Sequence, residues 1–189
     1  MLALALSGCS SARALHLEGS GAFFPRGPEA RHLAELVREL EPKVVALLGT
    51  RYEGSFAVEV GEVAVGRAQT TVGARDVTIS PAALDQNLRR TVAHELVHVH
   101  ARGLWEGLPC AVEEGLAYWV ASLAVGEVVS CELPEPSAAT LRMALTLTDD
   151  QYLRLPASLR AQVNQAGAWL ASRLVRPSGV CASVVESGR

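Results

Sequence analysis

The chain reads as an α+β domain: a small, mostly antiparallel sheet packed on one helix, followed by a helical C-terminal part. Three patterns predict this. Apolar residues recur at helical spacing from about 28 to 48, alternate between 55 and 80 as in strands, and return to helical spacing from 88 onward. The 189 residues suit one domain, placed at 28–176, with an N-terminal arm at 1–27 and a tail at 177–189. A composition that is 49% hydrophobic and 20% charged is ordinary for a globular chain with a real core. A net charge of −3 without a Lys/Arg block argues against a nucleic-acid partner, and a monomer is expected.

In order, Ala14-Leu15-His16-Leu17 suggests a short strand, and Gly19 to Pro28 reads as loop. Leu33, Leu36, Val37, Leu40, Val44 and Leu47 mark an amphipathic helix, with Pro42 as a break or kink and Gly49 as its end. His32 shares a face with Arg31, Glu35 and Arg38, which is a solvated face. Phe56 to Val60, Glu62 to Val65 and Asp76 to Ile79 are the strand segments, punctuated by Gly61, Gly66 and Gly73. After 125, Pro134-Glu135-Pro136 is a linker and Ser137 to Leu147 a short helix. Leu155-Pro156 is a break, and Ser158 to Val175 a longer helix that packs behind the metal site described below.

The N-terminus carries its own signal. Leu6-Ser7-Gly8-Cys9 has the form of a bacterial lipobox, with Cys9 as the lipidated residue. Only eight residues precede Cys9 and none is basic, whereas a secretory signal runs to about 15–30 residues. Either the true start lies upstream and this is a truncated lipoprotein signal, or the match is accidental and the segment is a loose arm of a secreted or cytoplasmic protein; the expectation is the first, with the chain anchored in the cell envelope and facing the periplasm. No other segment approaches the roughly 18 apolar residues of a membrane span. With Cys9 lipidated, Cys110, Cys131 and Cys181 would supply one disulfide and one buried thiol, and the pairing stays open.

The chemistry sits in Thr91-Val92-Ala93-His94-Glu95-Leu96-Val97-His98. Its His-Glu-x-x-His pattern is the helical zinc signature. Residues i and i+4 stack on one helix face, so the two imidazoles can share one ion. Glu95 is displaced around the helix, beside the metal, where it suits a general base. Leu88, Val92, Leu96 and Val99 would face the core; Asp85, or Ser80 with Pro81, would cap the start, and Gly103 would stop the helix. His100 lies on another face and is no ligand by geometry.

A catalytic zinc takes three protein ligands and keeps an open position. A third His six residues after the second is excluded, because that position is Leu104. The chain then turns through Gly103 to Pro109 and begins a second helix near Cys110, with Val112, Leu116, Trp119 or Val120, and Leu123 as its apolar stripe. Glu114 points roughly opposite Val112, and Gly115 with small neighbours would let this helix approach the first. Glu113 and Glu106 are the alternative carboxylates.

Residues 76–125 resemble a gluzincin metallopeptidase, the thermolysin-like and aminopeptidase-like group, and most closely the small bacterial peptidase MA-like domains. The matching residues are His94-Glu95-Leu96-Val97-His98, Pro109 and Glu114-Gly115-Leu116-Ala117. The resemblance implies that the Glu directly before the Gly is the ligand, which selects Glu114. It also implies that the strand leading into the zinc helix is the sheet edge lining the cleft, so Val77 to Ser80 is the candidate for backbone pairing with an extended peptide; an ordinary edge strand is the alternative. Thermolysin-like enzymes carry an Asp four residues after the ligand Glu. Tyr118 stands there in this chain, so the groups that orient the zinc histidines must differ.

The implied function is a zinc peptidase: Zn2+ held by His94, His98 and Glu114, Glu95 as general base, and a peptide or protein substrate. Tyr118 and Tyr152 are the candidate donors to the oxyanion. Peptide deformylase shares the His pattern but needs a Cys about forty residues upstream, and no Cys lies between Cys9 and Cys110. An inactive zinc-binding or scaffold lipoprotein is the alternative function. The presence of Glu95, which zinc binding does not require, weighs against it. A non-metal envelope lipoprotein with a fortuitous motif is the third reading.

Overall fold

The computed structural model describes residues 23–63, 67–71, 76–101, 107–127 and 133–174. Strand β1 (Phe23–Arg26) leads into helix α1 (Ala30–Leu48), then β2 (Phe56–Val60), β3 (Ala68–Thr70) and β4 (Val77–Ile79). A single 3-10 turn (Pro81–Ala83) precedes α2 (Leu88–Ala101). Helices α3 (Cys110–Ala124), α4 (Ala138–Thr146), α5 (Asp149–Leu153) and α6 (Ala157–Leu174) follow. The class is α+β, as the sequence predicts. Among the described residues, no helix is long and apolar enough to cross a membrane.

The sheet corrects the expectation of mostly antiparallel pairing. Its order is β1-β2-β4-β3, with β1–β2 and β2–β4 parallel and only β3–β4 antiparallel. The reason is connectivity. Helix α1 carries the chain from the end of β1 back to the start of β2, which leaves those strands parallel. The chain then returns as β3 one position too far out, and β4 fills the gap between them. Period-two alternation marks a strand without giving its direction, but Phe56, Ala57 and Val58 are buried in succession, the habit of a strand buried on both faces.

Three strand assignments change with it. Phe23–Arg26, read as loop within the N-terminal arm, is an edge strand of the sheet. The segment at 62–65 contributes no strand at Glu62 and Val63, its remainder lying outside the described residues, and the strand appears instead at Ala68–Thr70. Val77–Ile79 lies inside the sheet, so the edge facing the cleft is β3. The strand expected at 14–17 lies outside the described residues.

Helix α1 runs through Pro42 without a break, because that residue lies on the exposed face where the lost hydrogen bond is left to water. Gly49 ends it in the left-handed conformation at φ 66°, its N–H donating to the Val45 carbonyl. His32 is exposed, as its charged neighbours suggest. Helix α2 packs beside α1 and against β3 and β4, and α3 packs across α1 and α2. Between them lies the core: Leu33, Val37, Leu40 and Val44 of α1, Val92, Leu96 and Val99 of α2, Val112, Leu116 and Trp119 of α3, and Phe56, Val58, Val77 and Ile79 of the sheet. Asp85 accepts from the Asn87 N–H at 2.8 Å, just ahead of α2, while Ser80 caps the short turn by accepting from Ala82.

Gly115 does not face α2 as expected. A Cβ there would lie 2.2 Å from the Ala168 nitrogen, and one on Gly167 would lie 1.9 Å from the Ala111 carbonyl oxygen. These glycines let α3 and α6 touch backbone to backbone. Glu114, about 100° further around α3, is thereby turned toward α2. A second cluster, formed by Ala111, Ala144, Tyr152, Val163 and Ala166, seats α4, α5 and α6 on the far side of α3. Helix α5, which has no counterpart in the sequence reading, opens with a capping box between Thr148 and Gln151.

Candidate metal centre

Helices α2 and α3 bring three donors to one point. His98 Nε2 lies 3.2 Å from His94 Nε2. Glu114 Oε2 is 3.3 Å from His94 Nε2, and Glu114 Oε1 is 3.4 Å from His98 Nε2. Two nitrogens bound tetrahedrally at about 2.0–2.1 Å from zinc stand about 3.3–3.4 Å apart. The His94–His98 separation therefore matches an edge of a tetrahedral site, and the Glu114 carboxylate spans both imidazoles, one oxygen toward each. The donor set, two imidazoles and one carboxylate, is also of the kind that zinc takes in catalytic sites. Among the described residues, these three form the group able to hold a metal ion. Glu113 lines the cleft but is not in that group, and Glu106 lies outside the described residues.

The electrostatics follow from this packing. Burial pulls the His98 imidazole down, but the Glu114 carboxylate beside it more than offsets that, lifting it to about 9. Burial pushes the Glu114 carboxyl up, and the two imidazoles outweigh it, holding the group well below the usual carboxylate range.

Glu95 lines the same cleft without being one of the three donors. It is 5% exposed, and its Oε2 accepts a hydrogen bond from the Thr70 hydroxyl at 2.6 Å. Thr70 had no motif behind it; only its place in the Ala68-Gln69-Thr70 alternation could have marked it, as a strand residue. His100 faces away from the site, into the core. Its Nδ1 accepts from the Tyr52 N–H at 3.1 Å, and its Nε2 is 3.5 Å from Glu41 Oε1, both side chains being almost fully buried. The expectation that His100 stands apart from the metal donors agrees with this placement.

Around the donors opens a cleft of about 700 Å³, within the range of small-molecule sites. Strand β3 forms one wall with Arg67, Ala68, Gln69 and Thr70. Helices α5 and α6 form the other with Tyr152, Leu153, Arg160 and Asn164. Both tyrosines singled out from the sequence line it. Tyr152 is buried, and its hydroxyl donates to Asn164 Oδ1 at 2.7 Å. Burial, reinforced by the Glu114 charge, pushes that phenol above its ordinary value. Tyr118 is 48% exposed, with the Arg90 guanidinium 5.2 Å from its ring centre. The sequence pointed to neither Asn164 nor Arg160, because nothing local sets α6 on α3, across the cleft from the motif helix.

Cys110 carries a free thiol one turn before Glu114. Burial, with the Glu114 charge adding to it, pushes that thiol up to about 12, so it stays protonated and packs against the second cluster. Cys9, Cys131 and Cys181 lie outside the described residues.

No protein-family model, no curated protein and no solved structure matches the chain. The class of site is defined by its own geometry: a His-His-Glu triad on two helices, with a second glutamate beside it, open to a cleft edged by a β-strand.

Proposed function

We propose that this chain is a zinc-dependent peptidase of gluzincin type, with His94, His98 and Glu114 as the metal ligands and Glu95 as the general base. One observation carries the reading. Two imidazoles at tetrahedral spacing share one carboxylate, while a second glutamate, which binding does not need, lines the same cleft and is held by its own hydrogen bond.

Bound to the triad, zinc would supply Lewis acidity toward a carbonyl oxygen and toward water. Glu95 takes the proton of the attacking water on Oε1, the oxygen that Thr70 leaves free, and returns it to the departing amine nitrogen as the C–N bond breaks. Strand β3 is the edge against which an extended peptide can pair, replacing Val77 to Ser80 in that role. Tyr152 has its hydroxyl committed to Asn164, so Tyr118, which also lines the cleft, is the oxyanion donor in this reading. Attachment to the cell envelope through a lipid on Cys9 belongs to the same reading and rests on Leu6-Ser7-Gly8-Cys9 alone.

The test separates metal from chemistry. Glu95→Gln should retain about one zinc per chain and a near-parental melting temperature while peptide hydrolysis falls by about 10²–10⁴-fold, the usual loss for a positioned base. Hydrolysis at the parental rate would remove Glu95 as the base, and a zinc-loaded parent that hydrolyses no peptide would favour a zinc-binding scaffold.

A further inference from the structure

Strand β3 joins the free edge of the sheet to the general base through a single residue. Its ladder with β4 alternates: Ser80 N–H donates to the Arg67 carbonyl at 2.8 Å, and Thr71 N–H donates to the Asp76 carbonyl at 2.9 Å. Gln69 pairs with Thr78 between them. Residues lying between such hydrogen-bonded pairs turn their own N–H and C=O away from the partner strand. In β3 those residues are Ala68 and Thr70, so their backbone groups face the open cleft edge. Side chains alternate as well. Arg67 and Gln69 are exposed, whereas Ala68 and Thr70 are half-buried, with Thr70 reaching Glu95 of α2.

The Thr70 contact is short. Its hydroxyl donates to Glu95 Oε2 at 2.6 Å and lies 3.5 Å from the Glu95 carbonyl oxygen. A hydroxyl-to-carboxylate bond of that length is charge-assisted and among the stronger ones proteins form. The terminal torsion of a glutamate is otherwise broad. With Oε2 held, Oε1 is the oxygen left to receive a proton.

We infer that Thr70 is the positioning residue of the general base, and that it couples substrate docking to catalysis. Its hydroxyl sets the rotation of the Glu95 carboxylate, and its main chain receives the extended peptide. Pairing of substrate with β3 therefore steadies the group that activates water. The Thr70 proton stays on Oγ1 throughout; the travelling proton moves from water to Glu95 Oε1 and then to the leaving nitrogen. The inference rests on the peptidase reading.

Two substitutions and a metal-free measurement test it. Thr70→Val keeps shape and loses the donor, while Thr70→Ser keeps the donor and loses the methyl. In the zinc-loaded enzyme, Thr70→Val should lower kcat by about 10–100-fold, the range typical of lost orienting partners at metal sites, with KM changed by less than about threefold. Thr70→Ser should restore most of kcat. In metal-free protein, Thr70→Val and Glu95→Ala should lower the melting temperature together by less than the sum of their separate effects, because they remove the same bond. Parental kcat in Thr70→Val, equal losses in both Thr70 variants, or additive melting shifts would each overturn the inference. A parent that hydrolyses no peptide would refute the peptidase reading and the catalytic role with it, while the melting cycle would still decide whether Thr70 holds Glu95.

Discussion

Removing the Glu114 carboxylate should cost the site most of its metal affinity. The magnitude follows from the geometry. The imidazole nitrogens already stand 3.2 Å apart, with one Glu114 oxygen 3.3 Å from His94 and the other 3.4 Å from His98, so an ion would bind with little rearrangement and each ligand would contribute nearly its full share. Zinc sites with four protein ligands bind with about 10–16 kcal/mol, or roughly 3 kcal/mol per ligand. At about 1.4 kcal/mol per decade, Glu114→Ala should weaken zinc binding by about 10²-fold or more. Glu113→Ala, one residue away and outside the donor group, should change it by less than about tenfold, since it removes only a nearby charge. Competition against a chromophoric chelator gives both constants, and elemental analysis after dialysis gives the stoichiometry. A far-UV spectrum and thermal melt of each metal-free variant show that the fold is kept. Zinc lost in Glu113→Ala and kept in Glu114→Ala would refute the ligand assignment.

Two further predictions concern the scaffold. Gly167→Ala places a Cβ 1.9 Å from the Ala111 carbonyl oxygen and must push α6 off α3; a cost of about 3 kcal/mol, or about 6–12 °C in melting temperature, is expected, and an unchanged melt would show that the helices do not touch as described. Burial raises the Glu41 carboxyl above its ordinary value, with Arg51 opposing. A raised folded-state value means that its stability contribution is full below the ordinary carboxylate range and is lost as pH rises through the raised value. Glu41→Gln, which cannot ionise, should therefore gain on the parent in melting temperature as the pH climbs from about 4 toward 8, and a gap that does not widen would refute this account of Glu41.

The helices and most of the site were legible because helical spacing is local. A fixed rotation per residue puts His94 and His98 on one face, sets Glu95 beside them and marks the buried stripe of α3 through Val112, Leu116 and Trp119. Pro109 and Ser137 fall where helix-start signals belong, whereas the five residues of α5 behind the Thr148 cap are too few to show a helical period. Strand partners are not local. Nothing in Phe56 to Val60 says that the neighbours will be β1 and β4, both parallel, and nothing in Ala68 to Thr70 says that this strand will close the edge beside α2. Those choices came from α1 as a crossover and from the gap that β4 fills. The same holds for Gly115, whose missing side chain admits α6 instead of α2, and for the Tyr152–Asn164 wall of the cleft. The sequence by itself determined which residues could hold a metal and which could act as a base. The tertiary structure alone decided that Glu114 reaches both histidines and that Thr70 holds Glu95, because those distances depend on how separate elements pack and not on the spacing within any one of them.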